Sequence, residues 1–157
     1  MDITFSIVCP AFNAEKTIGR AIRSILNQTY PNFELIIIND GSTDETQRRV
    51  SELMKIDRRV RMFVTPDNYG KLAARNLGNK VAQHEWLCML DADDEYMSNY
   101  LEVLVDEIKR NPSYGIFNFG TLFKNREVID GERYEKGYTL LPPLELKEHK
   151  MGMEHFP

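Results

Sequence analysis

The stretch Leu87-Cys-Met-Leu-Asp-Ala-Asp-Asp-Glu-Tyr96 passes from four apolar residues straight into three carboxylates, Asp91, Asp93 and Asp94. An apolar run over 86–90, followed by helical patterning from about Met97, reads as a parallel strand covered on both faces. Asp91 and Asp93 then stand two residues apart at its carboxyl end. In an open α/β sheet that end is the edge at which ligands bind. Carboxylates so close repel one another, and a hard divalent cation such as Mg2+ or Mn2+, which prefers oxygen ligands and often completes its shell with phosphate, relieves the repulsion. The stretch therefore reads as an Asp-x-Asp site for metal and phosphate. Its plainer reading is an acidic turn whose aspartate caps the next helix.

Working outward, β-favouring apolar runs place strands over 5–9, 33–38, 60–64, 86–90 and 114–119, with Pro10 expected to end the first. Between them, apolar residues at intervals of three and four predict helices over 15–28, 44–54, 71–82 and 97–109. Asn13 is placed to cap the first helix, and Ser42 with Glu45 has the form of a capping box for the second. Strict alternation of strand and helix implies a doubly wound, mainly parallel, Rossmann-like sheet with helices on both faces. Residues 1–120 form that core. Residues 121–157 read as an acceptor-side segment or tail, with a hairpin strand over 122–128 and no clear period from Asp130 onward.

A chain of 157 residues, 42% hydrophobic and 28% charged, has the size and composition of one globular domain. Its 24 acidic and 20 basic residues leave a net charge of -4, which argues against nucleic acid as a partner. The local cluster Arg58, Arg59 and Arg61 reads as a solvated turn and strand edge. Cys9 and Cys88 fall inside predicted strands, without the spacing of a metal site or a disulfide framework, and fit a reducing compartment. The apolar run near the N-terminus is too short for a signal core or a membrane span. The expected location is cytoplasmic, peripheral contact with a membrane included, and pairing with a second copy is left open.

Polar clusters follow the first, second and fourth strands: Pro10-Ala-Phe-Asn-Ala-Glu15, Asn39-Asp-Gly-Ser-Thr-Asp44 and Asp91-Ala-Asp-Asp94. A doubly wound sheet brings these loops together. Lys71 and Arg75, one helical turn apart after the loop that ends at Gly70, supply two cations suited to phosphate. No Gly-x-Gly-x-x-Gly follows the first strand, so a dinucleotide oxidoreductase is a poor fit.

Over about Ser6 to Phe119 the order and spacing of these motifs resemble the nucleotide-binding half of a family 2, GT-A-fold, inverting glycosyltransferase. The resemblance implies that Pro10, Ala11, Phe12, Asn13 and Glu15 line a nucleoside pocket and that Asp40 accepts a hydrogen bond from uracil. It further implies Arg75 near base and diphosphate, Lys71 and Ala92 on the nucleotide, Asp91 near the ribose, and Asp93 on Mn2+ or Mg2+. The implied donor is a nucleotide-sugar, foremost a UDP-sugar, and the implied acceptor is a saccharide or lipid-linked hydroxyl. The chemistry agrees: an ionised carboxylate only accepts, which suits an imide N–H, and a metal neutralises charge on a leaving diphosphate. Inverting transfer also needs a general base. The acids after Phe119, among them Glu145, Glu148 and Glu154, match no such motif in the family. The chain accordingly reads as a truncated donor-binding part, the alternative being a non-catalytic nucleotide-binding or interaction module.

Overall fold

Strand order decides where the polar loops meet. The computed structural model describes residues 2–113 and 115, with the backbone of 121–129 and 132–141. It divides into two units, Met1–Asn111 and Pro112–Pro157. In the first, β1 (Phe5–Ala11), β2 (Phe33–Asp40), β3 (Val60–Thr65) and β4 (Trp86–Met89) alternate with α1 (Ile18–Leu26), α2 (Thr46–Met54), α3 (Lys71–Val81) and α4 (Tyr100–Arg110). The four strands are parallel in the order β3-β2-β1-β4. The chain steps one way from β1 to β3, then returns across two strands to β4. With right-handed crossovers, the reversal sends α1 and α2 over one face and α3 over the other. The sheet is doubly wound, as the alternation of elements implies.

Side chains of successive strand residues point to opposite faces. Val8, Ile36 and Ile38 meet Ala74, Leu77 and Val81 of α3. Ile7, Cys9, Leu35 and Ile37, on the opposite face, are also fully buried. The apolar stripes of α1 (Ile18, Ala21, Ile22, Ile25) and α4 (Leu101, Leu104, Val105, Ile108) are buried as well. Each such aliphatic side chain contributes about 1.5–3 kcal/mol relative to exposure.

Several boundaries differ from the sequence expectation. β1 runs through Pro10 instead of ending before it. The Val8 carbonyl accepts from Leu90 N–H at 3.0 Å on the β4 side, and Pro10, two residues on, faces that side beyond the last pairing, Val8 with Met89. Its missing N–H removes no ladder bond. α1 begins at Ile18, not residue 15, because the amides of Ala14 and Glu15 donate to Thr46 Oγ1 and Asp44 Oδ2 on the next loop. Asn13 does not cap α1; it sits at φ 48° and bonds across to residues 42 and 43. The expected capping box is not formed either, since Ser42 Oγ accepts from Asn13 N–H and α2 starts at Thr46 with no side-chain cap. α4 begins at Tyr100, the Ser98 carbonyl accepting from Thr29 N–H at 2.9 Å.

The strand expected over 114–119 lies, Gly115 apart, outside the described residues. In the second unit β5 (Thr121–Ile129) and β6 (Glu132–Leu141) form an antiparallel pair with a register irregularity at Asn125/Arg126. The first agrees with the expected hairpin strand. The second was hidden by a broken period of two, in which Tyr134, Tyr138 and Leu140 alternate but Lys136 and Gly137 interrupt.

Gly78 marks a close approach of α3 to the sheet. A Cβ there would stand 2.2 Å from Val8 Cγ1. Gly78→Ala gains about 1 kcal/mol of helix propensity and loses about 1–3 kcal/mol to overpacking, so a net loss of stability is expected, and a larger one for Gly78→Val. Urea unfolding of the two variants checks this; a valine variant as stable as the wild type would refute the close packing.

Candidate functional site

β1 and β2 stay in register to Ala11 and Asn39, so the loops that follow them lie side by side. They are stitched together. Asn13 N–H donates to Ser42 Oγ at 3.0 Å, Thr43 N–H to Asn13 Oδ1 at 2.9 Å, and Ala14 N–H to Thr46 Oγ1 at 2.8 Å. Glu15 N–H donates to Asp44 Oδ2 at 3.0 Å, while Glu15 Oε2 accepts from Glu45 N–H at 3.2 Å. Gly41 turns the second loop at φ 70°, where a Cβ would meet the backbone of Asp67 at 2.6 Å, so glycine is required on both counts.

These loops, with those after β3 and β4, enclose a cavity of about 550 Å³. Pro10, Ala11, Phe12, Asn13, Asp40, Lys71, Asp91, Ala92 and Asp93 all line it, together with Ala14, Thr17, Asn68, Gly70 and Ala74. Of the residues expected from sequence, Glu15 and Arg75 do not. Glu15 is engaged at the start of α2, and Arg75 stands behind Asp91. Asn68 and Gly70 had registered in the sequence only as loop formers. Gly70, at φ 90°, opens α3 and offers its N–H to Asp40.

Asp40, only 3% exposed, accepts from Thr65 Oγ1 at 2.9 Å, Tyr69 N–H at 3.1 Å and Gly70 N–H at 2.8 Å. Of a carboxylate's roughly four acceptor positions, the protein uses three. Asp91 takes Lys71 Nζ on one oxygen and Arg75 Nη2 on the other, the latter at 2.9 Å. Burial alone would raise the Asp91 pKa; hydrogen bonds and charge from Lys71 and Arg75 outweigh it and hold the carboxyl below its usual range. Arg75 Nε is buried without a partner among the described residues.

Asp94 moves the other way. Burial, then the charges of Asp93 and Asp91, push its carboxyl up. One oxygen from each of Asp91, Asp93 and Asp94 can lie within 4.8 Å of the others. An all-oxygen, repelling donor set suits Mg2+ or Mn2+. Cys9 offers no competing ligand, since burial and the nearby charges of Asp91 and Asp93 push its thiol up to about 12. Cys88 is likewise buried, free and neutral.

The sequence profile of glycosyl transferase family 2 matches residues 6–151. The chain belongs to that family. Over 106 residues this family 2 chain is 42% identical to a glycosyltransferase of Haemophilus influenzae, covering 68% of the chain and 42% of that protein. Over 129 residues it is 34% identical to the Escherichia coli UDP-Glc:alpha-D-GlcNAc-diphosphoundecaprenol beta-1,3-glucosyltransferase WfgD, covering 82% and 48%. The chain therefore spans less than half the length of either relative. S. aureus TarS in complex with UDP-GlcNAc aligns with a TM-score of 0.66 over 83% of this chain and 36% of that one, at 23% identity. The shared fold is the GT-A type. Among the described residues no helix is long and apolar enough to cross a membrane.

The Lys71–Asp91–Arg75 group has a signature in pH. A carboxyl whose folded pKa lies below its unfolded value, about 3.9 for aspartate, adds stability above that value and loses it as pH falls through the folded pKa. Asp91→Asn is expected to lower stability by about 1 kcal/mol at neutral pH, the scale of a partly exposed ion pair. The difference should shrink below about pH 4. Denaturant unfolding of both proteins at pH 7 and at a series of pH values below about 4 tests it, and a difference that does not fall with pH would contradict the ion-pair account.

Proposed function

We propose that the first unit is the donor-binding part of a metal-dependent, inverting glycosyltransferase that takes a nucleotide-sugar, foremost a UDP-sugar. The observation that carries this reading is the placing of Asp91 and Asp93 and of Lys71 on one wall of a cavity whose other walls are Asp40 and residues 10–13. A diphosphate with its cation needs both signs of charge close together; this wall has them.

Asp40 keeps one acceptor position for an imide N–H, and the loop after β3 holds the carboxylate in place for it. Phe12, 47% exposed, offers an apolar surface at the cavity. Lys71, with its side chain 55% exposed, is free to turn from Asp91 to a phosphate oxygen, while the better buried Arg75 keeps Asp91 ionised. Asp93 would hold the cation, with Asp91 and Asp94 beside it. When bound, Mg2+ or Mn2+ supplies charge neutralisation at the leaving diphosphate. The name of WfgD, which acts on a diphosphoundecaprenol-linked sugar, supports a saccharide or lipid-linked acceptor. Glu145, Glu148 and Glu154, the acids considered for the base, lie outside the described residues.

Calorimetry with UDP tests the proposal. In Mn2+ the chain is expected to bind UDP at least about tenfold more tightly than in EDTA, and Asp93→Asn to abolish the difference, in keeping with the strength of charge-assisted contacts. Equal affinity in both buffers removes the metal from the account. Asp40→Ala should cost UDP binding about 1–3 kcal/mol and GDP binding less; an equal loss for both removes the uracil assignment.

A further inference from the structure

The acidic segment has little to hold it in shape by itself. Within residues 91–98 the described backbone makes one internal bond, from Asp94 N–H to the Asp91 carbonyl at 3.0 Å. Its three carboxylates repel, which favours spreading of the loop.

What grips the segment is a polar stripe on and just after α1. Arg20, Ser24 and Gln28 are spaced four apart and so share one side of the helix. Arg20 Nη2 donates to the Asp93 carbonyl at 3.1 Å, and its Nε lies 2.7 Å from Glu95 Oε1. Ser24 Oγ accepts from Tyr96 N–H at 3.1 Å. Gln28 Nε2 donates to the Met97 carbonyl at 2.7 Å, while Gln28 Oε1 accepts from Leu101 N–H at 3.0 Å. Three successive turns thus hold the backbone from Asp93 to the first turn of α4. None of the three side chains lines the cavity.

We propose that Arg20, Ser24 and Gln28 are positioning residues for the acidic site: they set where the carboxylates of Asp93 and Asp94 stand without touching a ligand. The inference rests on the reading above that the acidic loop takes a divalent cation. Its physical basis is that a hard cation rewards carboxylate oxygens held at fixed separations, so the groups that orient the ligand-bearing backbone carry part of the affinity. Arg20 also sets a positive charge against Asp94, opposing the repulsion from its acidic neighbours.

Ser24→Ala is the sharpest variant, because alanine is the better helix former and the change removes the acceptor of the Tyr96 amide without altering charge. Two readouts are needed: Mn2+ uptake followed by loss of the free-ion EPR signal, and amide hydrogen exchange in the metal-free chain. Ser24→Ala is expected to weaken Mn2+ binding about tenfold, to speed exchange at Tyr96, and to leave UDP affinity in EDTA unchanged. Ser24→Thr, which restores a hydroxyl, should recover both. Arg20→Lys keeps the charge but loses the fork and should also weaken Mn2+ binding.

Mn2+ affinity unchanged in Ser24→Ala overturns the inference, and so does an equal loss of UDP affinity in EDTA, which marks general damage. If the wild-type chain takes up no Mn2+, the metal reading itself has failed, and exchange decides the positioning alone. Unaltered exchange across residues 93–101 then overturns it; faster exchange confined to them upholds it.

Discussion

A right-handed connection can reverse its direction across a parallel sheet only by changing faces, and the reversal at β1 and β4 is the constraint on which this molecule's chemistry depends. β4 pairs with β1 only as far as Val8, whereas β2 stays paired with β1 to Ala11. The last turn of β1 therefore has a free side. Pro10 occupies it, the one residue type that lacks the N–H a neighbouring strand would need. Because β1 and β2 are buried along their whole length, polar groups collect at the carboxyl ends. The cavity opens there, with Pro10 and Ala11 on one wall and Asp91 to Asp93 on another.

Charge at this edge is divided within four residues. Asp91 is held ionised by two cations on consecutive turns of α3, while partial desolvation and the like charges of Asp93 and Asp91 push the carboxyl of the exposed Asp94 up. One part of the acidic stretch is already satisfied by the protein; the remainder still gains from a cation. Asp40 shows the same economy, three of its acceptor positions being used to hold the loop that ends at Gly70. The carboxylates that read most clearly as ligand groups also fasten one loop to another, so the cavity's shape and its chemistry come from the same bonds.

Element order and type were legible because apolar periodicity is a local property: the runs in β1, β2 and β4 and the spacing of Ile18, Ala21, Ile22 and Ile25 can be seen without knowing their partners. The convergence of residues 10–13, Asp40, Lys71 and Asp91 to Asp93 followed from topology. What escaped depends on residues far apart in the chain. Asn13 and Ser42 each have the local form of a helix cap, yet their partners lie about thirty positions away, on the adjoining loop, while the Glu45 side chain pairs with Arg48 instead of a capping partner. Glu15 was set at the cavity by resemblance, and the competing attraction of the α2 amides draws it elsewhere. Arg75 reaches the site only through Asp91.

The stripe on α1 was illegible for a different reason. Polar residues four apart opposite an apolar face describe any surface helix, whether water or another segment of backbone covers that side. Gln28 distinguishes the two cases. It is 8% exposed, and its amide donates to the Ser24 and Met97 carbonyls and accepts from Leu101 N–H. A leucine there would leave the Met97 carbonyl and the Leu101 N–H without this partner, and a glutamate would turn a charge toward two carbonyl oxygens. Only a side chain that donates twice and accepts once satisfies the position. An amide that looks like ordinary surface in the sequence is thus a buried joint between α1 and α4, and the acidic loop inherits its position from that joint.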